Sequence, residues 1–189
     1  YRLVILPETI GSITYINKFR KNLTKNVICG FNLSCVGDER GYSHISSKYG
    51  NTLSDVALKS ALIGKKKIKY YSFLERGSDE RQYCSPGVNL PVCGFSKSKY
   101  GEYKEYHTNA DNLKLVTSRG LEQSFNVIKS IIDGFEKCFI PKSKIICEPN
   151  LGKRNLYPTI SHKKNYKSQN FKLDLITYSD GKMNIFEIS

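Results

Sequence analysis

Short apolar runs alternate with stretches of helical periodicity along the first two-thirds of this chain. The runs fall at 2–6, 27–36, 68–73 and 91–95, and each has the length of a strand that is covered on both faces. Strands that alternate with helices are typical of a layered α/β domain. The sequence therefore predicts a three-layer α/β/α sandwich with a mostly parallel sheet.

Three segments between and after these runs have helix signals. Apolar residues recur at helical spacing over 11–21 and over 118–137, where the stripe holds Leu121, Phe125 and Ile132. A further helix is marked at its start by Thr52 and Asp55, whose spacing is that of a capping box. Three helices are therefore expected.

The net charge is strongly positive, with 30 Lys and Arg against 17 Asp and Glu and a formal charge of +13. Such a field attracts nucleic acid or other polyanions. The basic residues are mostly scattered, and the dense runs are confined to 65–67 and 162–164. A solvated Lys-rich surface is the preferred interpretation, and nucleic acid remains an alternative partner.

Two classes of protein are disfavoured by the remaining composition. No run approaches the roughly 20 apolar residues of a membrane-spanning helix, so no membrane association is expected. The six cysteines form no CxxC pair and there is no secretory signal, which favours free thiols over a zinc knuckle or disulfides. The predicted location is cytoplasmic.

The chain divides into three parts by composition. Residues 1–140 carry the α/β pattern, 141–170 form a turn-rich basic connector, and 171–189 begin another small module with a strand and a turn. The first predicted strand starts at Tyr1, which is not Met. We therefore expect an N-terminally incomplete α/β domain followed by a truncated module.

Polar residues follow each predicted strand. Glu8 comes after the first strand, 37–41 after the second, 75–83 after the third and 100–111 after the fourth. Because ligands bind beyond the carboxyl ends of parallel strands, we expect these loops to meet at one sheet edge. Glu8 is a candidate general base, or equally a charge that favours the start of the following helix.

The other candidates each have a structural alternative. His107 suits a metal ligand oriented by Asp111, although a lone histidine is more often a hydrogen-bonded structural residue. Asp79, Glu80 and Arg81 form either a functional cluster or a surface ion-pair network. Two further interpretations concern loops: Asp38 could lie in a simple tight turn, and His44 and His162 are expected to face solvent.

Five segments together resemble a known family. They are ILPETIGSITYI at 5–16, GDERGYSHISSKYGNTLSDVAL at 37–58, FLERGSDERQYCSPGVNLPV at 73–92, YGEYKEYHTNADNL at 100–113 and CEPNLGKRNLYPT at 147–159. In this order they resemble the zinc aminopeptidase-like proteins of bacteria and archaea, within the co-catalytic zinc exopeptidase group. The resemblance covers nearly the whole chain.

The resemblance implies a phosphorylase/hydrolase-like fold and roles for individual residues. Glu8 matches the general base that activates a zinc-bound water against a peptide or amide carbonyl. His107 matches a zinc ligand, and Asp38 is a possible second ligand. The remaining site-shaping residues implied by the match are Asp79, Glu80, Arg81 and Asp111. A winged-helix module often follows such a domain, and 171–189 match its start.

Differences from the family pattern argue against zinc binding and peptidase activity of this chain alone. Thr9 stands where dizinc aminopeptidases have a second Glu, and Ser34 stands where they have an Asp ligand. The group also supplies a His and a bridging Asp from a segment ahead of the residue matched by Tyr1. Since three or four protein ligands are typical for zinc, this chain alone is expected to bind zinc weakly or not at all and to lack peptidase activity. The alternative is a non-catalytic peptidase fold whose basic connector contacts an acidic partner or nucleic acid.

Overall fold

The computed structural model of the chain describes residues 1–154, 156 and 165–188. It divides into two compact units, residues 1–134 and the described residues from Phe135 onward. The sheet lies in the first unit. Part of the predicted basic connector, residues 155 and 157–164 with His162 among them, lies outside the described residues.

The sheet has four short strands, β1 (Gly30–Leu33), β2 (Tyr42–Ile45), β3 (Ile68–Tyr71) and β4 (Val92–Ser96). Their spatial order is β1-β4-β2-β3. The β1/β4 and β2/β3 pairs are parallel, whereas β2 runs antiparallel to β4. The expectation of a mostly parallel sheet in an α/β fold is therefore confirmed, with one antiparallel pairing at its centre.

Four helices belong wholly or mostly to the first unit: α1 (Ile10–Asn26), α2 (Leu53–Leu62), α3 (Glu80–Tyr83) and α4 (Ser118–Glu136). The predicted helices over 11–21 and 118–137 correspond to α1 and α4, although α1 continues to Asn26, and the predicted start of α2 is confirmed. The one-turn helix α3 was not predicted. The capping box at the start of α2 is present, with Thr52 and Asp55 bonded reciprocally. This local signal succeeded because its partners are three residues apart.

Helices α1 and α2 cover opposite faces of the sheet. On β4, Val92 packs in a buried cluster with Ile16 and Leu23 of α1. Its neighbour Cys93 lies beside Asp55 of α2, with their ligand-type atoms within 4.8 Å. Because successive residues of a strand point to opposite faces, the sheet is sandwiched between these helices. The three predicted layers are present.

Helix α4 packs through small residues rather than through its predicted apolar stripe. A Cβ on Gly120 would lie 2.0 Å from the Gly37 carbonyl oxygen, and Ser124 Oγ donates to the Val36 carbonyl at 2.7 Å. Val127 and Ile131 complete the buried face, whereas Phe125 of the predicted stripe is 64% exposed. The close approach of α4 to the segment after β1 requires the small residues, and hydropathy alone does not signal it.

The first predicted strand, Arg2–Leu6, is wrong. This segment has no strand structure, and most of its apolar side chains are exposed, with Leu3 at 84% and Ile5 at 86%. A strand is stabilised by ladder hydrogen bonds to a neighbour, and the described residues include no strand paired with this segment.

Strand β2 was missed because its residues, Tyr-Ser-His-Ile, are too polar and too few to signal a strand. Its antiparallel pairing with β4 also changes the geometry expected for the loops. The carboxyl ends of β2 and β3 point to the sheet edge opposite to those of β1 and β4. The loop after β3 therefore starts at the opposite end of the sheet from the loops after β1 and β4. Its contacts with them are not explained by a common end of the sheet.

The second unit contains helices α5 (Asn165–Tyr178) and α6 (Ile185–Ile188). An isolated bridge pairs Lys142 with Asp180, and the Phe135 and Phe186 rings pack at 5.0 Å. The apolar run 173–176, expected as a strand, is helical, since a run of this length fits either structure. The boundaries at 140 and 170 stay predictions. Among the described residues, no helix combines the length and the hydropathy required to cross a membrane.

Candidate functional site

The loop before α1 and the loop after β3 meet in a compact group of polar side chains, Glu8, Thr9, Ser78, Asp79 and Arg81, which we call the Glu8 cluster. Ser78 Oγ donates to Glu8 Oε1 at 2.8 Å. Arg81 donates to Thr9 Oγ1, also at 2.8 Å. These residues lie about 70 positions apart in the chain, so their contact depends on the tertiary fold.

Asp79 anchors the start of α1. Its carboxylate accepts the Thr9 backbone N–H at 2.7 Å and the Ser12 hydroxyl at 2.6 Å. Thr9 has a positive φ of 62°, which is uncommon for a residue other than glycine. The Asp79 and Arg81 bonds hold this backbone in place, and the negative charge lies where the helix dipole favours it. Glu8 is thereby presented directly before the first turn of α1.

Glu80 is fully buried and has a different function from its neighbour. Its carboxylate accepts the Asn32 side-chain amide at 2.7 Å and the Tyr100 hydroxyl at 2.6 Å. It also accepts the backbone N–H groups of Gly77 and Ser78 at 3.0 and 3.1 Å. Burial, and then the bond to Glu80, hold the pKa of Tyr100 above its usual value. Glu80 therefore joins β1, the loop after β3 and the loop after β4.

The loop after β4 also comes alongside Glu8. The pKa of Tyr106 is raised, chiefly by burial and further by the nearby charges of Cys35 and Glu8. His107 stacks on Tyr106, with ring centroids 3.9 Å apart and an angle of 18° between the planes. Its imidazole is exposed, its φ is 56°, and none of the described hydrogen bonds involves it. The side chain is thus available for a ligand, and its assignment as a metal ligand stays a prediction.

Asp38 and Asp111 lie in other contacts. Asp38 is 5% exposed and accepts Ser98 N–H at 2.9 Å, Ser98 Oγ at 3.1 Å and the Arg40 N–H at 2.8 Å. Asp111 is exposed and accepts the Tyr103 hydroxyl at 3.2 Å. The described contacts do not join Asp38 to Glu8 or Asp111 to His107. The predicted metal role of Asp38 and orienting role of Asp111 remain without a supporting contact.

The donor atoms of the predicted site do not by themselves make a metal centre. Among the described residues, the one group of three His, Cys, Asp or Glu donors that lies within 4.8 Å is His44, Asp55 and Cys93. It includes none of the predicted ligands Asp38 and His107, and zinc usually takes three or four protein ligands. The residues described around Glu8 therefore do not fit a zinc site on their own.

The buried group of His44, Asp55 and Cys93 was missed, because His44 was expected to face solvent. That expectation is wrong: His44 is 1% exposed and its Nε2 lies 2.9 Å from Asp55 Oδ1. The Asp55 carboxylate also accepts hydrogen bonds from the backbone N–H and the side-chain hydroxyl of both Ser47 and Thr52. Burial raises the pKa of the Cys93 thiol well above its usual value. The set is best explained as a hydrogen-bonded core that orders the start of α2.

The sequence and the layered α/β fold of the first unit are similar to those of known families and structures. Residues 1–138 match the profile of a family described as a domain of unknown function, DUF4910, and this chain belongs to that family. Residues 140–189 match the profile of a winged helix-turn-helix family. The predicted resemblance to aminopeptidase-like proteins with a C-terminal winged helix is confirmed by these matches and by the relatives described next.

Two relatives come from Clostridium acetobutylicum. One, provisionally named a polysaccharide biosynthesis protein with an aminopeptidase-like domain, is 36% identical over 196 residues, which cover 100% of this chain and 44% of the relative. The other is a crystal structure of a protein described as a candidate peptidase, 33% identical with a TM-score of 0.76. The match covers 96% of this chain and 40% of that structure. The chain thus spans less than half the length of these relatives.

Two more distant structures share the fold. An aminopeptidase from Aneurinibacillus sp. strain AM-1 has a TM-score of 0.54 at 19% identity, covering 66% of this chain and 30% of that structure. A zinc aminopeptidase from Bacillus subtilis has a TM-score of 0.55 at 17% identity, covering 65% and 32%. Likeness at this level of identity establishes the α/β architecture.

Proposed function

We propose that this chain supplies the general base of an aminopeptidase-like hydrolase that cleaves a peptide or amide bond with an activated water. The observation that carries the proposal is the Glu8 cluster, in which distant segments converge to hold one exposed carboxylate. Supporting it, relatives above 30% identity are named for an aminopeptidase-like domain and a peptidase activity. The substrate proposed is a peptide or a small amide.

Glu8 is suited to accept a proton from water. One carboxylate oxygen, Oε1, accepts the Ser78 hydroxyl, and Oε2 has no described hydrogen bond. The side chain is exposed, so water reaches it. Ser78 orients the carboxylate, while Asp79 and Arg81 fix the backbone of the next residue, Thr9.

Zinc is expected in the complete site from the resemblance, where it would polarise the scissile carbonyl and lower the pKa of water. The described residues around Glu8 do not supply three grouped donors. We therefore propose that this chain alone binds zinc weakly or not at all and has no peptidase activity. A stoichiometric zinc signal in elemental analysis of the purified chain would contradict this.

The general-base proposal is tested by Glu8→Gln in the whole natural polypeptide that contains this sequence. We expect kcat/KM on aminoacyl p-nitroanilide substrates to fall by about 10²–10⁴-fold, the usual effect of removing a general base. Glu122→Gln, a substitution of the same kind at an exposed position on α4, should leave the rate unchanged. Equal rates for the wild type and Glu8→Gln would refute the proposed role.

A further inference from the structure

A cavity of about 560 Å³ lies on the first unit, away from the bonds of the Glu8 cluster. It is bordered by β2 and β3, by the residues just before these strands and by the segment after β4. Six cationic side chains and one carboxylate, Glu102, line it. The cations are Arg40, Lys67, Lys69, Lys97, Lys99 and Lys104.

Half of these cations are already paired. Arg40 makes a two-point contact with Glu105 at 2.8 and 2.9 Å. Glu102 lies 3.3 Å from Lys69 and 3.9 Å from Lys99. In contrast, Lys67, Lys97 and Lys104 have no ion pair within 4.0 Å among the described residues. The cavity therefore retains an excess of positive charge that the described carboxylates do not neutralise.

Lys97 shows this imbalance most clearly. It is 1% exposed, and its ammonium donates to the neutral Gln123 Oε1 at 2.8 Å and lies 3.6 Å from the centre of the Tyr42 ring. Burial lowers the pKa of Lys97, although the charges of Asp38 and Glu39 oppose this. A buried cation is usually paired with a bound counter-charge, and an anion in the cavity would supply it.

The lining also has a non-ionic part. Tyr42, Tyr71 and Tyr103 contribute aromatic rings, and the volume is within the range of small-molecule sites. Doubly charged phosphoryl groups are bound by clustered Lys and Arg, and aromatic rings contact the organic group that carries them. We propose that this cavity binds a small molecule carrying a diphosphate group. The proposal does not depend on the hydrolase activity.

The test is isothermal titration calorimetry of the full chain with inorganic pyrophosphate and with a nucleoside diphosphate, in about 0.15 M salt to suppress weak surface attraction. We expect saturable one-to-one binding of at least the nucleoside diphosphate. The double variant K67Q/K104Q should raise its Kd by about tenfold or more, because two charge-assisted contacts are lost. Tighter binding of the nucleoside diphosphate than of pyrophosphate would indicate that the tyrosine rings of the cavity contact the organic group of the ligand.

The matched control is K21Q/K25Q, which removes two exposed lysines of α1 outside the cavity. It should change Kd by less than about twofold, since only long-range attraction is altered. The proposal is overturned if neither diphosphate binds saturably, or if both double variants weaken binding equally. It is also overturned if an oligonucleotide binds with dependence on Lys67 and Lys104 while the small diphosphates do not.

Discussion

At the scale of single residues, Asp79 and Glu80 show how adjacent carboxylates acquire different functions from their surroundings. Asp79 anchors the backbone at the start of α1 beside Glu8. Glu80 points into the core and accepts four donors. Both were predicted as members of one cluster, either functional or a surface ion-pair network. Asp79 contacts the residue after Glu8, whereas Glu80 bonds within the core, and the site-shaping role of the two stays a prediction.

We predict that Glu80→Gln destabilises the first unit. A glutamine retains the size of the side chain, but it replaces one acceptor oxygen by an amide that faces other donors. The lost charge-assisted bonds and the unsatisfied donors should cost about 2–4 kcal/mol of unfolding free energy. Urea denaturation followed by circular dichroism measures this loss. Glu122→Gln, at an exposed position, should change it by less than about 0.5 kcal/mol.

At the scale of elements, the start of α2 is stabilised by a carboxylate that depends on tertiary contacts. Burial alone would raise the pKa of Asp55, but bonds with His44, Ser47 and Thr52 hold it below its usual value. A group with a lowered folded-state pKa contributes stability above its unfolded-state pKa of about 3.9 and loses it as the pH falls. The contribution is therefore complete at neutral pH.

We predict that Asp55→Asn costs about 2–4 kcal/mol of unfolding free energy at pH 7, and that this difference from the wild type shrinks below about pH 4. The physical reason is that asparagine is not ionised, so the variant lacks the pH-dependent contribution of Asp55 to the unfolding free energy. Urea midpoints at a series of pH values measure both effects. Asp133→Asn, which removes only an exposed pair with Lys129, is the control. A pH-independent difference would contradict the assigned electrostatic role.

At the scale of the whole molecule, the chain has two units, and every strand of the sheet belongs to the first. We predict that a fragment of residues 1–138 unfolds cooperatively in urea and has a dispersed amide spectrum, because it retains the sheet, its covering helices and α4. A fragment of residues 1–117 is the matched control. It lacks Gly120 and Ser124, which hold α4 against the segment after β1, and should lose cooperativity. A molten 1–138 fragment would show that the first unit depends on the second.

The elements that could be predicted from the sequence are those with a local physical cause. The capping box of α2 and the periodicity of α1 and α4 lie within a few turns of chain. Strand β2 was missed because its pairing with β4 supplies the stability that its own residues do not signal. The buried face of α4 was misassigned for a related reason: Gly120 and Ser124 pack well only against a partner that approaches closely.

The chemistry of the site divides in the same way. Glu8, His107 and the 79–81 segment were identified as candidates because they lie in polar loops that follow predicted strands, and the motif resemblance pointed to the same positions. The strand predicted before Glu8 is absent, so the actual fold does not support this reason for choosing Glu8. The bond from Ser78 to Glu8 and the burial of His44 against Asp55 were decided by tertiary structure alone. Hydrophobic periodicity and capping act between near neighbours, so one sequence reveals them. Polar groups far apart in the chain become partners only when the fold brings their segments within hydrogen-bond distance. Here the antiparallel pairing of β2 with β4 decided at which end of the sheet each loop begins.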